Sequence, residues 1–134
     1  MNVREFVSTN MFAIKKALNG PILEAEDLSL LKYLLNVLED LRMYTRNFTG
    51  TMKNQLCRRM HYQEFPPDHM IFNKGDASDD FYVLLYGSVY VINQDKEGIE
   101  LIINTLGPGQ SFGERGIILR RPRSLGIRCK SKVG

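Results

Sequence analysis

Scarcity narrows this sequence before any motif does. It holds two cysteines and two histidines in 134 residues. Cys57 and Cys129 stand far apart, without the short spacing of a zinc site, so two reduced thiols are expected. His61 and His69 have no local cluster of histidines or carboxylates to complete a metal site, and no Ser or Cys at a recognisable triad spacing. Neither a metal, a cofactor nor an enzyme is expected. No apolar run approaches the roughly 20 residues that span a bilayer, and the N-terminus lacks a secretory signal, so the chain reads as cytoplasmic with no membrane span. Without that signal the Asn47-Phe48-Thr49 sequon has no glycosylation context. No helix-turn-helix accompanies the basic tail, so nucleic acid is not an expected partner.

Acidic residues disappear after Glu114. All 15 acidic residues and eleven of the 18 basic ones precede residue 115, which leaves residues 1–114 at net −4 within a chain of net charge +3. The positive field is concentrated in residues 115–134 and suits an anionic partner. The remaining composition, 43% hydrophobic and 25% charged, is that of a globular protein with a real core.

Helical patterning comes first along the chain. Phe6, Met11, Phe12, Ile14 and Leu18 predict a short amphipathic helix ending at Asn19-Gly20-Pro21. Leu28, Leu31, Leu34, Leu35, Leu38 and Leu41 recur at helical spacing and predict one continuous helix from Asp27 to about Arg42. Its apolar stripe packs either on its own domain or on a protein partner or second protomer. A third helix is expected from a Thr51 cap through Arg59, burying Met52, Leu56 and Met60. Residues 1–50 thus form an N-terminal helical segment.

From residue 51 onward the period changes. Phe65 to Phe72 is extended around two prolines, and Asn73-Lys74-Gly75-Asp76 is a turn. Tyr82 to Ile92 is strand-like but broken by Tyr86-Gly87-Ser88, which predicts two strands or a bulged hairpin. Glu100 to Leu106 and Leu125 to Cys129 are further strands. Helices followed by short, closely spaced strands predict an α+β fold, N-terminal helices leading into an antiparallel β-roll or jelly roll.

Between the last two strands lies the stretch with chemistry in it. Gly107-Pro108-Gly109-Gln110-Ser111-Phe112-Gly113-Glu114 places three glycines where the backbone can turn tightly and approach a ligand. Ile117-Ile118-Leu119 predicts a short helical turn whose first N–H groups favour an anion, and Arg123 supplies a guanidinium fork for phosphate oxygens. Glu114 is repelled by phosphate, but a carboxylate only accepts hydrogen bonds and so suits a sugar hydroxyl. A ribose phosphate meets both demands.

Phe112-Gly113-Glu114, with Pro122-Arg123 at its spacing, resembles the phosphate-binding cassette of the cyclic-nucleotide-binding domain family, as do Phe65 to Asp76 and Phe81 to Val89 in their order. The resemblance runs from about Leu56 to Arg128 and identifies residues 51–134 as such a domain. It implies a sensor for cAMP or cGMP that relays occupancy to flanking helices. Ligand-binding residues would be Phe112, Gly113, Glu114, Gly116, Ile117, Arg123 and Ser124. In the family pattern Glu114 holds the ribose 2′-OH, Arg123 the cyclic phosphate, and the Gly116 N–H another phosphate oxygen. Arg115 and Gly116 depart from the usual apolar and small pair after the Glu, and Ser124-Leu125 replaces Ala-Ala. A hydroxyl at Ser124 fits a guanine amino group, yet leaves the base preference open. Only 11 residues follow Arg123, so the family's last strand and lid helix are expected to be absent.

Two rival readings remain. One is a degenerate domain of the same fold that has lost the nucleotide and serves as an interaction or dimerisation module through its helices. Arg115, Leu125 and the short C-terminus favour it; Glu114 and Arg123 oppose it. The other treats Arg121-Pro122-Arg123-Ser124 as a target of a basophilic kinase, against the expectation that these residues fold into a pocket.

Overall fold

The computed structural model describes residues 3–20 and 25–134. Two compact units divide the chain, Met1–Gln63 and Glu64–Gly134. The first is helical: α1 (Val3–Asn19), α2 (Ala25–Val37), α3 (Glu39–Thr45) and α4 (Gly50–Arg59). Within it α2 packs on α1, α3 and α4. Leu31, Leu34 and Leu35 form its buried stripe, and Leu38 and Leu41 continue it. The expected helix end at Pro21 falls partly outside the described residues.

The helix predicted to run unbroken from Asp27 to Arg42 is in fact two. Leu38 takes an extended conformation (φ −77°, ψ 109°) between them. Its neighbours explain the break: Val37 is a poor helix former, and Glu39 and Asp40 are favoured in the first turn of a new helix. The hydrogen bonds from Leu38 N to Leu34 O (3.0 Å) and from Arg42 N to Leu38 O (2.8 Å) persist, so the leucine stripe crosses the bend intact.

The cap of α4 is also displaced from its expected position. Thr49, not Thr51, has the extended backbone a cap requires, and its hydroxyl accepts from Met52 N at 3.2 Å. The inward face also differs from the expectation: Cys57 is the fully buried side chain, Leu56 and Met60 are half-buried and Met52 is exposed.

The second unit carries β1 (Met70–Phe72), β2 (Tyr82–Val83), β3 (Val89–Gln94), β4 (Glu100–Leu106), β5 (Ser111–Phe112), a six-residue α5 (Glu114–Leu119) and β6 (Gly126–Cys129). All pairings are antiparallel, in a four-stranded sheet of order β1-β6-β3-β4 and a two-stranded sheet of β2 with β5. This is the α+β arrangement expected. β3 and β4 form a hairpin whose turn is held by the Asp95 carboxylate, which accepts from the N–H groups of Glu97 and Ile99, each at 2.9 Å. Leu84, Val89, Phe112, Ile127, Cys129 and Val133 are the core, with Phe65, Phe72, Tyr82 and Val91 packed against it.

The break at Tyr86-Gly87-Ser88 separates β2 from β3 and has a steric cause. Gly87 adopts φ +80°, and a Cβ there would lie 2.2 Å from the Lys132 carbonyl oxygen. The C-terminal residues cross at this point. Leu85 N donates to Gly134 O at 2.8 Å, Lys130 N to Ser88 O at 3.0 Å, and Val133 forms an isolated antiparallel bridge with Phe65.

Candidate functional site

The glycine-rich stretch becomes a short scaffold. Gly109 N donates to Leu84 O at 2.8 Å and Leu84 N donates to Gln110 O at 3.0 Å, which sets β5 beside β2. Phe112 ends β5, Gly113 turns the chain at φ +92°, and Glu114 opens α5. Arg120 closes α5 in a left-handed conformation (φ 53°), and residues 121–123 run without regular structure towards β6. That return segment lies along residues 73–80: Arg123 N donates to Asp76 O at 2.8 Å and Gly75 N to Arg123 O at 2.7 Å.

Arg123 is the centre of the arrangement. It is only 6% exposed. One terminal nitrogen, Nη1, donates to the carbonyl of Gly113 and the other, Nη2, to the carbonyl of Asp80. Its Cζ sits 4.2 Å from the centroid of the Phe72 ring, within cation–π range. Phe72 in turn belongs to an aromatic group with Tyr82 and Phe112, the latter two stacked at 5.2 Å. Gly113 is glycine because of this arginine: a Cβ would stand 3.0 Å from Arg123 Nη1 and 3.2 Å from Asp80 O. Tight approach to a guanidinium, rather than to a ligand, is what its lack of a side chain permits.

The charge is left incompletely answered. Among the described residues Arg123 forms no ion pair with a carboxylate, and its Nε is a buried donor without a hydrogen-bond partner. Two carbonyl dipoles and one ring face offset a buried guanidinium only in part. Close by along the chain, Glu114 Oε2 is a buried acceptor without a partner, while Oε1 meets Ser111 Oγ only at 3.5 Å, the outer limit for a hydrogen bond. A buried donor and a buried acceptor are thus left unmatched, one on the side chain that bonds the Gly113 carbonyl and one on the residue after Gly113.

The other predicted residues divide by depth. Phe112 is a core residue at 6% exposure and supports Arg123 through Phe72. Ile117 is half-buried within α5, Gly116 occupies the third position of that helix, and Ser124 is exposed on the return loop. The sequence singled out neither Phe72 nor Asp80 as a partner of Arg123. Asp80 acts through a carbonyl every residue possesses, and Phe72 stood in a strand whose apolar residues all read as core. The site also perturbs Tyr82: burial raises its phenol above the usual range, Asp80 adds to the rise, and Arg123 opposes it. No cluster of three or more metal-binding side chains occurs among the described residues, and none of their helices is long and apolar enough to cross a membrane.

Known proteins resemble this chain in sequence and in fold. The profile of the family described as cyclic nucleotide-binding domain matches residues 62–133. The potassium channel AKT6 of Arabidopsis thaliana is 33% identical over 76 residues, which are 57% of this chain and 8% of the channel. The cAMP-bound form of the EAL enzyme Bd1971 aligns at 31% identity and a TM-score of 0.51, over 53% of this chain and 19% of that one. The regulatory domain of Toxoplasma gondii PKA, co-crystallised with cAMP, has a TM-score of 0.70 over 79% of this chain and 40% of that one; at 16% identity this is a likeness of fold. The chain spans less than a tenth of the length of the channel it matches.

Proposed function

The chain belongs to the cyclic nucleotide-binding domain family, and on that premise we propose that it is a regulatory module binding cAMP or cGMP between Arg123 and Glu114. The observation that carries this is the pair of unmatched buried atoms: Arg123 Nε lacks an acceptor and Glu114 Oε2 lacks a donor. A cyclic ribose phosphate supplies both. Its phosphate oxygens accept from Arg123 and balance the buried charge, and its 2′-OH donates to Glu114. The Gly116 N–H and Ile117 would border the phosphate, and the exposed Ser124 hydroxyl would face the base. The domain of residues 51–134 carries this site and the segment 1–50 receives its signal, through α5 and the flanking helices, either within the chain or at a partner or second protomer. This module acts by binding rather than by catalysis, without a metal or cofactor, and in the cytoplasm.

The rival reading, an interaction module that no longer takes nucleotide, draws on a specific observation. Both terminal nitrogens of Arg123 already have protein carbonyls as partners. Each retains a second N–H, and Nε is unused, so the guanidinium still has donors for a phosphate. Calorimetric titration with cAMP and cGMP separately decides between them. Saturable binding of either, lost in Arg123→Ala and weakened in Glu114→Gln while both variants remain folded, is expected. A folded wild-type chain that binds neither overturns the proposal in favour of the rival.

A further inference from the structure

We propose that Ser124 is a phosphorylation site for a serine/threonine kinase that selects basic residues before its target, and that its phosphate opposes cyclic-nucleotide binding; the second half rests on the function proposed above. Ser124 is exposed, and its hydroxyl has no hydrogen-bond partner among the described residues. Arg121 and Arg120, three and four positions before it, are exposed as well. Guanidinium forks at these positions suit the carboxylates of an acidic kinase surface. Pro122 fixes its own φ and disfavours a helical Arg121 before it, and the segment from Arg121 to Pro122 belongs to neither helix nor strand. Arg123 points inward and takes no part in that recognition. An alternating loop results, with the nucleotide's arginine inside and a kinase motif outside.

The loop is tied, but lightly on its outer side. Ser78 Oγ donates to Arg121 O at 2.6 Å, an exposed bond, and Arg120 holds a left-handed φ that costs a non-glycine residue conformational energy. The loop's inner side is held by Arg123, whose backbone bonds Asp76 and Gly75, so a kinase engages the outer face of the loop. The reaction transfers the γ-phosphoryl group of ATP to Ser124 Oγ, the hydroxyl proton leaves to the kinase's base, and ADP departs.

The consequence for the site is electrostatic. A phosphoserine brings about −1.5 to −2 charges at neutral pH. It would stand next in sequence to Arg123 and on the same loop as Arg120 and Arg121. Whether it pairs with those arginines or only lies near the nucleotide's phosphate, it removes positive field the ligand needs. A bound nucleotide, by holding Arg123 and its loop, would in turn make the segment harder for a kinase to engage and so slow phosphorylation.

The test uses the whole chain, a purified basophilic serine/threonine kinase with ATP and Mg²⁺, and mass-spectrometric localisation of the phosphate. Incorporation at Ser124 that vanishes in Ser124→Ala, falls sharply in Arg121→Ala and slows with saturating cAMP or cGMP is expected. The isolated phosphorylated chain should bind that nucleotide about tenfold or more weakly, with Ser124→Asp showing a smaller loss and an unchanged melting temperature. No incorporation in the folded chain, alongside efficient modification of the urea-unfolded one, overturns the site. Stoichiometric phosphate with unchanged nucleotide affinity overturns the antagonism. If Ser124 is phosphorylated but the unmodified chain binds neither nucleotide, the antagonism falls together with the nucleotide-binding function, and the modification site stands.

Discussion

Replacing Arg123 with Met separates what the arginine does for the ligand from what it does for the fold. Met has similar reach, no charge and easy packing against Phe72, the ring now 4.2 Å from the guanidinium carbon. Two opposing effects act on the free protein. The carbonyls of Gly113 and Asp80 lose their donors, at about 1–3 kcal/mol each if they stay dry. Against this, a guanidinium 6% exposed and without a carboxylate partner is removed from the interior, and replacing such charges by apolar groups is often neutral or favourable by about 1–4 kcal/mol. The net change in unfolding free energy should therefore lie between about 2 kcal/mol stabilising and about 6 kcal/mol destabilising, centred on about 2 kcal/mol destabilising. Nucleotide binding has no such offset. Loss of a buried, charge-assisted partner for the phosphate should cost about 2–5 kcal/mol, roughly thirtyfold to several thousandfold in affinity. Urea unfolding and calorimetric titration on the same preparation read the two quantities. Arg123→Lys keeps the charge with a single nitrogen in place of a fork and should fall between Met and wild type. A folded Met variant binding within about threefold of wild type would refute the phosphate role. A variant whose binding falls only as far as its folded fraction would make Arg123 a structural strut.

Gly113→Ala forces a side chain to φ +92° and to 3.0 Å from Arg123 Nη1; it should cost about 1–3 kcal/mol of stability and weaken nucleotide binding beyond that loss by displacing the guanidinium, and full retention of both in denaturation and titration counts against the geometry. Gly87→Ala meets the Lys132 carbonyl at 2.2 Å with φ +80° and should destabilise by about 2–4 kcal/mol in urea unfolding; its neighbours are Lys132, Val133 and Ser131 rather than Arg123, so the fraction that remains folded should keep wild-type affinity. Burial raises the thiols of Cys57 and Cys129 and, with help from Asp80, the phenol of Tyr82. The folded state then keeps protons that the unfolded chain releases first, so the stability from these groups is complete below their ordinary ranges and is lost as pH rises above them; urea midpoints should fall between pH 7 and pH 10, and a rise would contradict the sign. The same burial should leave both thiols slow to alkylate at pH 8 until urea unfolds the chain.

Periodicity made the helices and most strands legible, because a leucine stripe or a run of β-branched residues reports one face of one element. Boundaries followed a finer logic. The bend at Leu38 depends on Val37, Glu39 and Asp40 together, and the α4 cap on which threonine has the extended backbone, Thr49 rather than Thr51. The two-residue β5 escaped the pattern altogether, being too short for any period to show. The motif around Glu114 and Arg123 was visible as spacing, and Gly113 as a turn. What spacing could not convey was direction. The residues that hold Arg123 do so through the carbonyls of Gly113 and Asp80 and the ring of Phe72, groups that carry no distinctive signal in a sequence.

Those three contacts give the site a physical route to a signal. A single side chain joins β1 through Phe72, the 73–80 segment through Asp80, and the entrance to α5 through Gly113. The backbone of the same residue adds two bonds to the 73–80 segment, at Asp76 and Gly75. A phosphate that recruits the guanidinium cannot pull on one of these segments alone, since the arginine's planar fork fixes the angles among its donors. Movement of Arg123 towards a ligand, under the proposed function, would loosen Gly113 and so free the start of a six-residue helix that has little internal stability of its own. Glu114, the first residue of that helix, would acquire the donor that its Oε2 lacks from the same ligand. Phosphate and sugar recognition would therefore both act through Gly113 and its neighbour, and α5 is the element whose position would report that both are satisfied. The expected signature is amide hydrogen exchange that changes on nucleotide addition in α5 and residues 73–80 together, while β3 and β4 stay as they were; protection confined to one of the two segments would break the coupling argued here.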